Sequence, residues 1–305
     1  MKKIMLMLAK MLPPHFTTNM ARVDNLDDAT AIDNGDYATA LKLFKPLAEQ
    51  GDAASQYTLG RMYYIGEGVI EDDKEAVKWF RKAADQGHAK AQYNLGLMYH
   101  TGQGVIQDYK EAVKWYRLAA DQGCALAQTN LGFMFGNGKG LKKDDEEAVK
   151  WYRLAADQGD AEAQNNLGWK YQNGEGVIED DKEATKWFRL AADQGNANAQ
   201  HNLGLMYDDG EGVIQDDKEA VKWYRFAAEQ GHALAQNNLG LMYATSRGVL
   251  QDDKKAHMWW NIARANGNDE ADHNIKSITQ RMTPADISEA QDMAKRCLAS
   301  NYKDC

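Results

Sequence analysis

A Trp stands at every 36th residue over most of this chain: Trp79, Trp115, Trp151, Trp187, Trp223 and Trp259. Its neighbours repeat with it, as in KEAVKWFRKAADQG (74–87), KEAVKWYRLAADQG (110–123) and KEAVKWYRFAAEQG (218–231). A fixed period that never slips leaves few folds open. Units of this length cannot bury an apolar face alone, so they stack and each covers the next. The 305 residues would by length suggest two ordinary domains. The repeat overrides that prior, because a solenoid grows by stacking and needs no second core.

One unit, residues 87–122, reads GHAKAQYNLGLMYHTGQGVIQDYKEAVKWYRLAADQ. Its first helix is expected over about Ala89 to His100, where Ala91, Leu95, Met98 and Tyr99 recur at helical spacing. Gly96 lies inside that helix, where Gly costs about 1 kcal/mol relative to Ala. Its equivalents are Gly60, Gly132, Gly168, Gly204 and Gly240. A close helix–helix approach with no room for a Cβ is the simplest reason. Gly102 and Gly104 mark the turn, one of them as the left-handed residue after the helix, and Val105 pins it to the core. Asp108 and Glu111 form a D-x-x-E start close to a capping box. The pattern recurs in the other units except the last, where Lys255 replaces the Glu and a weaker start is expected. The second helix runs to about Gln122 and buries Ala112, Val113, Trp115, Tyr116, Ala119 and Ala120. Gly123 opens the next unit.

The wording A-x-A-Q-x-N-L-G-x-M-Y, then G-x-G-V, then D-x-x-x-A-x-x-W-[FY]-x-x-A-A-x-Q-G resembles the Sel1-like repeat family, related to tetratricopeptide repeats. The likeness covers roughly residues 34–282 in six tandem copies. It implies an all-α fold: a right-handed α/α superhelical solenoid of about six 36-residue helix-turn-helix repeats, with capping helices at both ends. It also implies an adaptor or scaffold for protein complexes. The units divide as 51–86, 87–122, 123–158, 159–194, 195–230 and 231–266. Residues 25–50 are read as N-terminal capping helices, Asn25 to Asp33 and Asp36 to Gln50. Residues 267–305 are read as C-terminal caps, with a degraded first-type helix and then a helix over about 284–300 opened by Thr283-Pro284. Terminal units of solenoids are atypical because they cover an exposed core end. Residues 1–24 begin with Lys2 and Lys3 before Ile4 to Ala9, as a secretory leader does. Lys10 interrupts that run and no A-x-A-like site follows, so the segment tips the expectation only slightly toward a periplasmic or secreted chain. Cys297 and Cys305 form one possible disulfide, or two free thiols on a tail; Cys124 is alone.

The units differ in an informative way. On the second helices even the outward positions repeat: Lys78, Lys114, Lys150, Lys186 and Lys222, and Arg81, Arg117, Arg153, Arg189 and Arg225. On the first helices four positions vary. The fourth reads Ala54, Lys90, Leu126, Glu162, Asn198, Leu234, and the seventh Tyr57, Tyr93, Thr129, Asn165, His201, Asn237. The eleventh reads Arg61, Leu97, Phe133, Trp169, Leu205, Leu241, and the fourteenth Tyr64, His100, Gly136, Gln172, Asp208, Ala244. Their offsets place them on one helix face, opposite the core stripe. The family resemblance implies that this face lines the concave side. Leu97, Phe133, Trp169, Leu205 and Leu241 then form an apolar ladder, which marks either a partner-binding groove or packing between adjacent first helices. Tyr57 and Tyr93 flank it. Asn94, Asn130, Asn166, Asn202 and Asn238 stand about 60° around the helix. Their amides offer donors and acceptors to an extended peptide, or tie each helix to a neighbouring turn.

The net charge of −9, with no basic stripe, argues against nucleic acid and anionic membrane surfaces. No apolar run reaches the ~18 residues of a transmembrane helix. The seven His lack H-x-x-x-H or H-E-x-x-H spacing, and the acidic runs lack the D-x-D-x-D-G alternation of calcium loops. The Gly-x-Gly pairs follow a helix and precede no G-K-[ST]. One S-x-x-K occurs, Ser300 to Lys303, without S-D-N or K-T-G. Cysteine-rich relatives of the resembled family have been linked to penicillin binding, but they carry a C-x7-C pair in every repeat. Only Cys297/Cys305 has that spacing here. The expectation is a non-catalytic scaffold without cofactor or metal that binds a protein or peptide. A penicillin-interacting hydrolase and a structural spacer are the alternatives.

Overall fold

The structure is a computed structural model and describes residues 35–305. The expected leader and the helix over Asn25 to Asp33 lie outside the described residues. Every regular element described is an α-helix: α1 Tyr37–Glu49, α2 Ala53–Ile65, α3 Asp73–Asp85, α4 Ala89–Thr101, α5 Tyr109–Asp121, α6 Ala125–Asn137, α7 Asp145–Asp157 and α8 Ala161–Asn173. There follow α9 Asp181–Asp193, α10 Ala197–Asp209, α11 Asp217–Ala228, α12 Ala233–Thr245, α13 Asp253–Ala265, α14 Glu270–Thr279 and α15 Pro284–Ala299. Each helix packs on the one before it and the one after it, from α1 to α14. The even-numbered helices α2 to α12 are the first helices of units one to six, and α3 to α13 are the second. This is an α-solenoid.

Each second helix starts at an Asp with extended backbone. Asp108 accepts from the amides of Lys110 and Glu111 at 2.9 and 3.2 Å. The reciprocal half of the expected capping box is absent, because the Asp108 amide already donates to the Tyr99 carbonyl of the first helix. Glu111 instead accepts from Trp115 Nε1 at 3.2 Å. In the last unit Asp252 still caps through the Lys255 amide at 2.9 Å, and Lys255 sits over the Tyr243 ring.

Within a unit, the two helices meet ring against glycine. A Cβ on Gly96 would stand 2.7 Å from Tyr116 Cδ1, and one on Gly168 would stand 2.8 Å from Phe188 Cδ1. Phe80, Tyr152, Tyr224 and Trp260 fill the same place elsewhere. Gly102 is the left-handed cap of α4. Gly104 also has positive φ, and a Cβ there would lie 2.3 Å from the Asp73 carbonyl of the preceding unit.

Between units, three contacts recur. A buried Gln on each first helix, such as Gln92, donates to the preceding helix end (Ala84 O, 3.1 Å) and accepts from the next second helix (Gln122 Nε2, 2.7 Å). Each such Gln therefore ties three helices. Arg81, Arg153, Arg189 and Arg225 donate to Tyr99, Tyr171, Tyr207 and Tyr243 of the following unit. Where that residue is Phe135, Arg117 lies over its ring instead. The uniform arginines are thus junction residues, and their sameness needs no account beyond that contact. The repeating Lys residues do point outward, where Lys78, Lys150 and Lys222 pair with a Glu one turn back; exposed pairs of this kind contribute about 0–1 kcal/mol. The Trp completes the junction: Trp115 packs into the cluster of Ala76, Phe80, Ala91 and Leu95, which belongs to α3 and α4.

At the C-terminus α15 returns along α13 and buries Ala290, Ala294 and Cys297. Thr283 caps it and Pro284 occupies its first turn. Cys297 and Cys305 are joined by a disulfide, while Cys124 is a free, half-buried thiol. Tyr302 accepts from Asn266 Nδ2 at 2.9 Å and so pins the tail to the end of α13.

The first helices start differently from one another, and this sets a pH response. Asp52, Asp160 and Asn196 cap α2, α8 and α10, whereas His88 and His232 cap α4 and α12 through Nδ1 at 3.2 Å. That acceptor exists only on the neutral ring. Burial pushes His88 and His232 below the ordinary histidine value. Burial and the neighbouring His232 ring, stacked at 4.7 Å, bring His201 down to about 4. The unfolded chain therefore takes up protons near pH 6.5 that the fold resists. Stability should be level above that value and fall as the pH drops toward about 4. Thermal unfolding from about pH 8 to about pH 5 should show this loss. His232→Asn keeps the cap and should flatten the dependence; an unchanged slope would refute this assignment.

Candidate functional site on the first-helix face

Of the four variable positions, the seventh is not on an open face. Thr129, Asn165, His201 and Asn237 are buried, and Tyr57 and Tyr93 are half-buried. They sit in the seam between successive first helices. Tyr57 stacks on His88 of the next unit with ring centroids 4.7 Å apart, and Thr129 donates to Asp160 at 3.0 Å. The sequence offsets put the seventh position on a face opposite the core, but that side of the helix curves into the neighbouring unit, which buries it.

The Asn row belongs to the same seam. Asn202 donates to Asn165 Oδ1 at 3.0 Å, Asn274 to Asn237 Oδ1 at 2.9 Å, and Asn238 Nδ2 lies 3.3 Å from His201 Nε2. Asn94 and Asn130 lie beside the Tyr57 and Tyr93 hydroxyls. Asn130 also donates to the Leu126 carbonyl of its own helix, at 3.1 Å. Asn166 Oδ1 lies 3.5 Å from Asn165 Nδ2. All five side chains are half-buried. Asn202 and Asn238 thus bond the preceding first helix rather than a neighbouring turn.

The eleventh position divides. Leu97 and Phe133 lean on the core of units two to four, and Leu205 on that of units five and six. His100 stacks on Phe133 at 6.0 Å, and the Lys139 ammonium sits 5.0 Å from the same ring. Trp169 and Leu241 stay open, 42% and 41% exposed. Two fourth-position leucines on the same helical side are more open still, Leu126 at 49% and Leu234 at 51%. On the first helices the exposed large apolar side chains are therefore Leu126, Trp169, Leu234 and Leu241, in units three, four and six, while Leu118, Leu154, Leu190 and Phe226 are similarly exposed on the second helices.

Beside Trp169 the structure holds a feature that the sequence reading missed. The twelfth position carries Met62, Met98, Met134, Met206 and Met242, but Lys170 in unit four. Its side chain is only 6% exposed, and its ammonium lies 2.6 Å from Asp145 Oδ1 and 2.7 Å from Glu175 Oε2. Gly136, on the preceding first helix, makes room: its Cβ would stand 3.7 Å from Lys170 Nζ. Burial works to raise the Asp145 carboxyl, but hydrogen bonds and charge from Lys170 and Lys143 outweigh it and hold it below its ordinary value. The signal was present as the single break in the Met period.

Ser300 Oγ donates to the Cys297 carbonyl and accepts from the Asp304 amide, so it serves as the helix-end cap of α15. Among the described residues no three His, Cys, Asp or Glu side chains gather closely enough to hold a metal ion. No described helix is long and apolar enough to cross a membrane.

The Sel1 repeat pattern matches seven consecutive segments: 32–52, 53–88, 89–124, 125–160, 161–196, 197–232 and 233–268. The chain belongs to the Sel1 repeat family. The first match is incomplete and takes in α1. Two solved Sel1-type structures are similar over most of the chain. One is a protective antigen present in uropathogenic Escherichia coli strains, which displays an SLR fold. It is 39% identical, with a TM-score of 0.75 over 84% of this chain and 56% of that one. The chain thus spans little more than half of that antigen's length. The other is a Sel1 repeat protein from Oxalobacter formigenes, 34% identical, with a TM-score of 0.73 over 79% of this chain and 97% of that one. No curated protein sequence matches the chain. Proteins of the Sel1 repeat family generally serve as protein–protein interaction scaffolds.

Proposed function

We propose that this Sel1 repeat chain is a non-catalytic scaffold that binds a protein or peptide on the face of its first helices. One observation carries the reading. Trp169, Leu241, Leu126 and Leu234 stay 41–51% exposed on first helices whose other large apolar side chains are buried or half-buried. Large apolar side chains on an otherwise polar surface mark interaction sites, and a Trp is the residue type most often found to dominate them. The buried Asn seam beneath holds the helices at fixed spacing, so the exposed residues sit on a rigid platform rather than on loops. Ser300 is occupied as a helix cap, which favours the scaffold over a serine hydrolase.

The test is a double substitution, Trp169→Ala with Leu241→Ala. Both side chains are partly in water, so the melting temperature should change little, in line with about 0.5 kcal/mol for surface changes. Affinity for a captured partner should fall by about 2 kcal/mol or more, a factor of about 30. Equal retention of every partner by the variant and the parent would end this reading. Phe133→Ala is the matched control: its ring is packed under His100, so it should lose stability instead.

A further inference from the structure

The outward side of the second helices is covered at one end of the solenoid and open before it. In unit six α15 lies along α13, and the two run in the same direction. Lys254 Nζ, in the first turn of α13, lies 2.9 Å from Glu289 and 3.8 Å from Asp286 of α15. At the far end Tyr302 bonds Asn266. Between these ties Met258 and Ile262 share a cluster with Ala294 and Cys297 of α15, and they are 1% and 0% exposed. Lys254, Met258 and Ile262 stand four residues apart and so form one line on the helix.

The same line is bare in earlier units. It reads Lys110, Lys114, Leu118 in unit two, Lys182, Lys186, Leu190 in unit four and Lys218, Lys222, Phe226 in unit five. Leu118 is 41% exposed, and Leu190 and Phe226 are each 42% exposed. Each of these units is followed by a first helix, as unit six is followed by α14, so the cover they lack is α15. Lys114, Lys186 and Lys222 reach a Glu of their own helix at 3.6, 3.2 and 3.1 Å. Among the described residues Lys110, Lys182 and Lys218 hold no ion pair.

What covers unit six shows what the open line accepts. α15 buries Ala290, Ala294 and Cys297, small side chains that permit close approach, and brings two carboxylates to the first Lys of the line. Near its end it carries Lys295 and Arg296. The open lines suit the same order of charge. A second Lys stands where unit six has Met258, and Asp121, Asp193 or Glu229 stands where it has Ala265. We propose that the second-helix face of units two, four and five docks an amphipathic helix of a partner protein, lying parallel to the second helix. That helix is acidic in its first turns, small and apolar along its middle and basic at its end. The Leu or Phe anchors it, as apolar side chains do when a helix lies in a groove, and the charges set direction and register. A second copy's α15 is already seated on its own α13. Unit three has Glu146 at the first position and unit one has Lys82 at the last, so neither offers the full line. The surface is separate from the first-helix face and stands without it.

Anisotropy of a labelled peptide of residues 283–300 carrying Cys297→Ala, titrated with the full chain, tests the proposal. Saturable binding is expected. Leu118→Glu with Leu190→Glu and Phe226→Glu should weaken it by about tenfold or more, with unchanged circular dichroism, since all three side chains stand partly in water. A peptide that also carries Asp286→Lys and Glu289→Lys should bind more weakly by a similar factor, and Leu154→Glu in unit three should change nothing. No binding of the first peptide by the parent chain would overturn the proposal. So would equal binding by the triple variant, which would place the peptide on α13 in exchange for α15. Equal binding of the charge-reversed peptide would overturn it too, as would a loss confined to the Trp169→Ala/Leu241→Ala variant. A parent chain that light scattering showed to be a dimer, and a triple variant that was a monomer, would overturn it in favour of a second copy.

Discussion

Truncating Phe188 to Ala should cost about 3–5 kcal/mol, and restoring a single methyl across from it should return part of that. Phe188 is fully buried and lies on Gly168, where a Cβ would come within 2.8 Å of its ring. Gly168→Ala alone sets two effects against each other. The helix gains about 1 kcal/mol from Ala over Gly, while overpacking a filled contact costs about 1–3 kcal/mol. The ring is enclosed on all sides and has nowhere to go, so the cost should win. In the Phe188→Ala background the sign reverses, because the new methyl enters a cavity and the helix keeps its gain. Denaturant unfolding of the four proteins forms a double-mutant cycle. A coupling near zero would mean that the Gly positions do not exist for the ring.

Removing both carboxylates around Lys170, by Asp145→Ala with Glu175→Ala, should destabilise the protein by about 3–5 kcal/mol, the usual cost of a buried charge left without a partner. Adding Lys170→Met to that pair should recover most of the loss, since Met fills this position in the other five units. Replacing a whole buried ionic group by apolar side chains is often neutral or better. Lys170→Met alone should be mild, because Asp145 keeps Lys143 at 3.1 Å and some access to water. Thermal unfolding of the three variants checks the order. If the triple variant were no more stable than the double, the loss would lie in the carboxylates' own packing and not in the stranded cation.

Much of the fold was legible because the period is written in residues whose backbone roles are unambiguous. Gly51 to Gly267 space the units, the Asp caps start the second helices, and the interior Gly demands a near neighbour. The Thr283-Pro284 start and the C-terminal helix were readable for the same reason. The face of the first helices was less so. A helical wheel separates buried from exposed around one axis, but the seventh position is buried by the neighbouring unit and not by its own partner helix. Nothing local in Asn165 or His201 says that a second first helix lies alongside. The Arg residues misled in the opposite direction, since an arginine that repeats on an outward position looks solvated until the next unit's Tyr is placed beside it. Lys170 was visible as a break in the Met period, yet its meaning depends on burial, which only the packed chain supplies.

The buried Gln that ties three helices has a bearing on how long such a chain can be. Gln56, Gln92, Gln128, Gln164, Gln200 and Gln236 each donate to an alanine carbonyl at the end of the preceding helix and accept from the end of their own unit's second helix, a Gln in five cases and Asn266 in the last. In this bond every seam is the same. Excising one whole period, or splicing in another, rejoins equivalent atoms along this Gln ladder and leaves none of its donors or acceptors stranded. The number of units is left open by the bonding that holds them together, so the reach of the molecule can be reset by unequal recombination in steps of one repeat, while each new stretch arrives already able to fold.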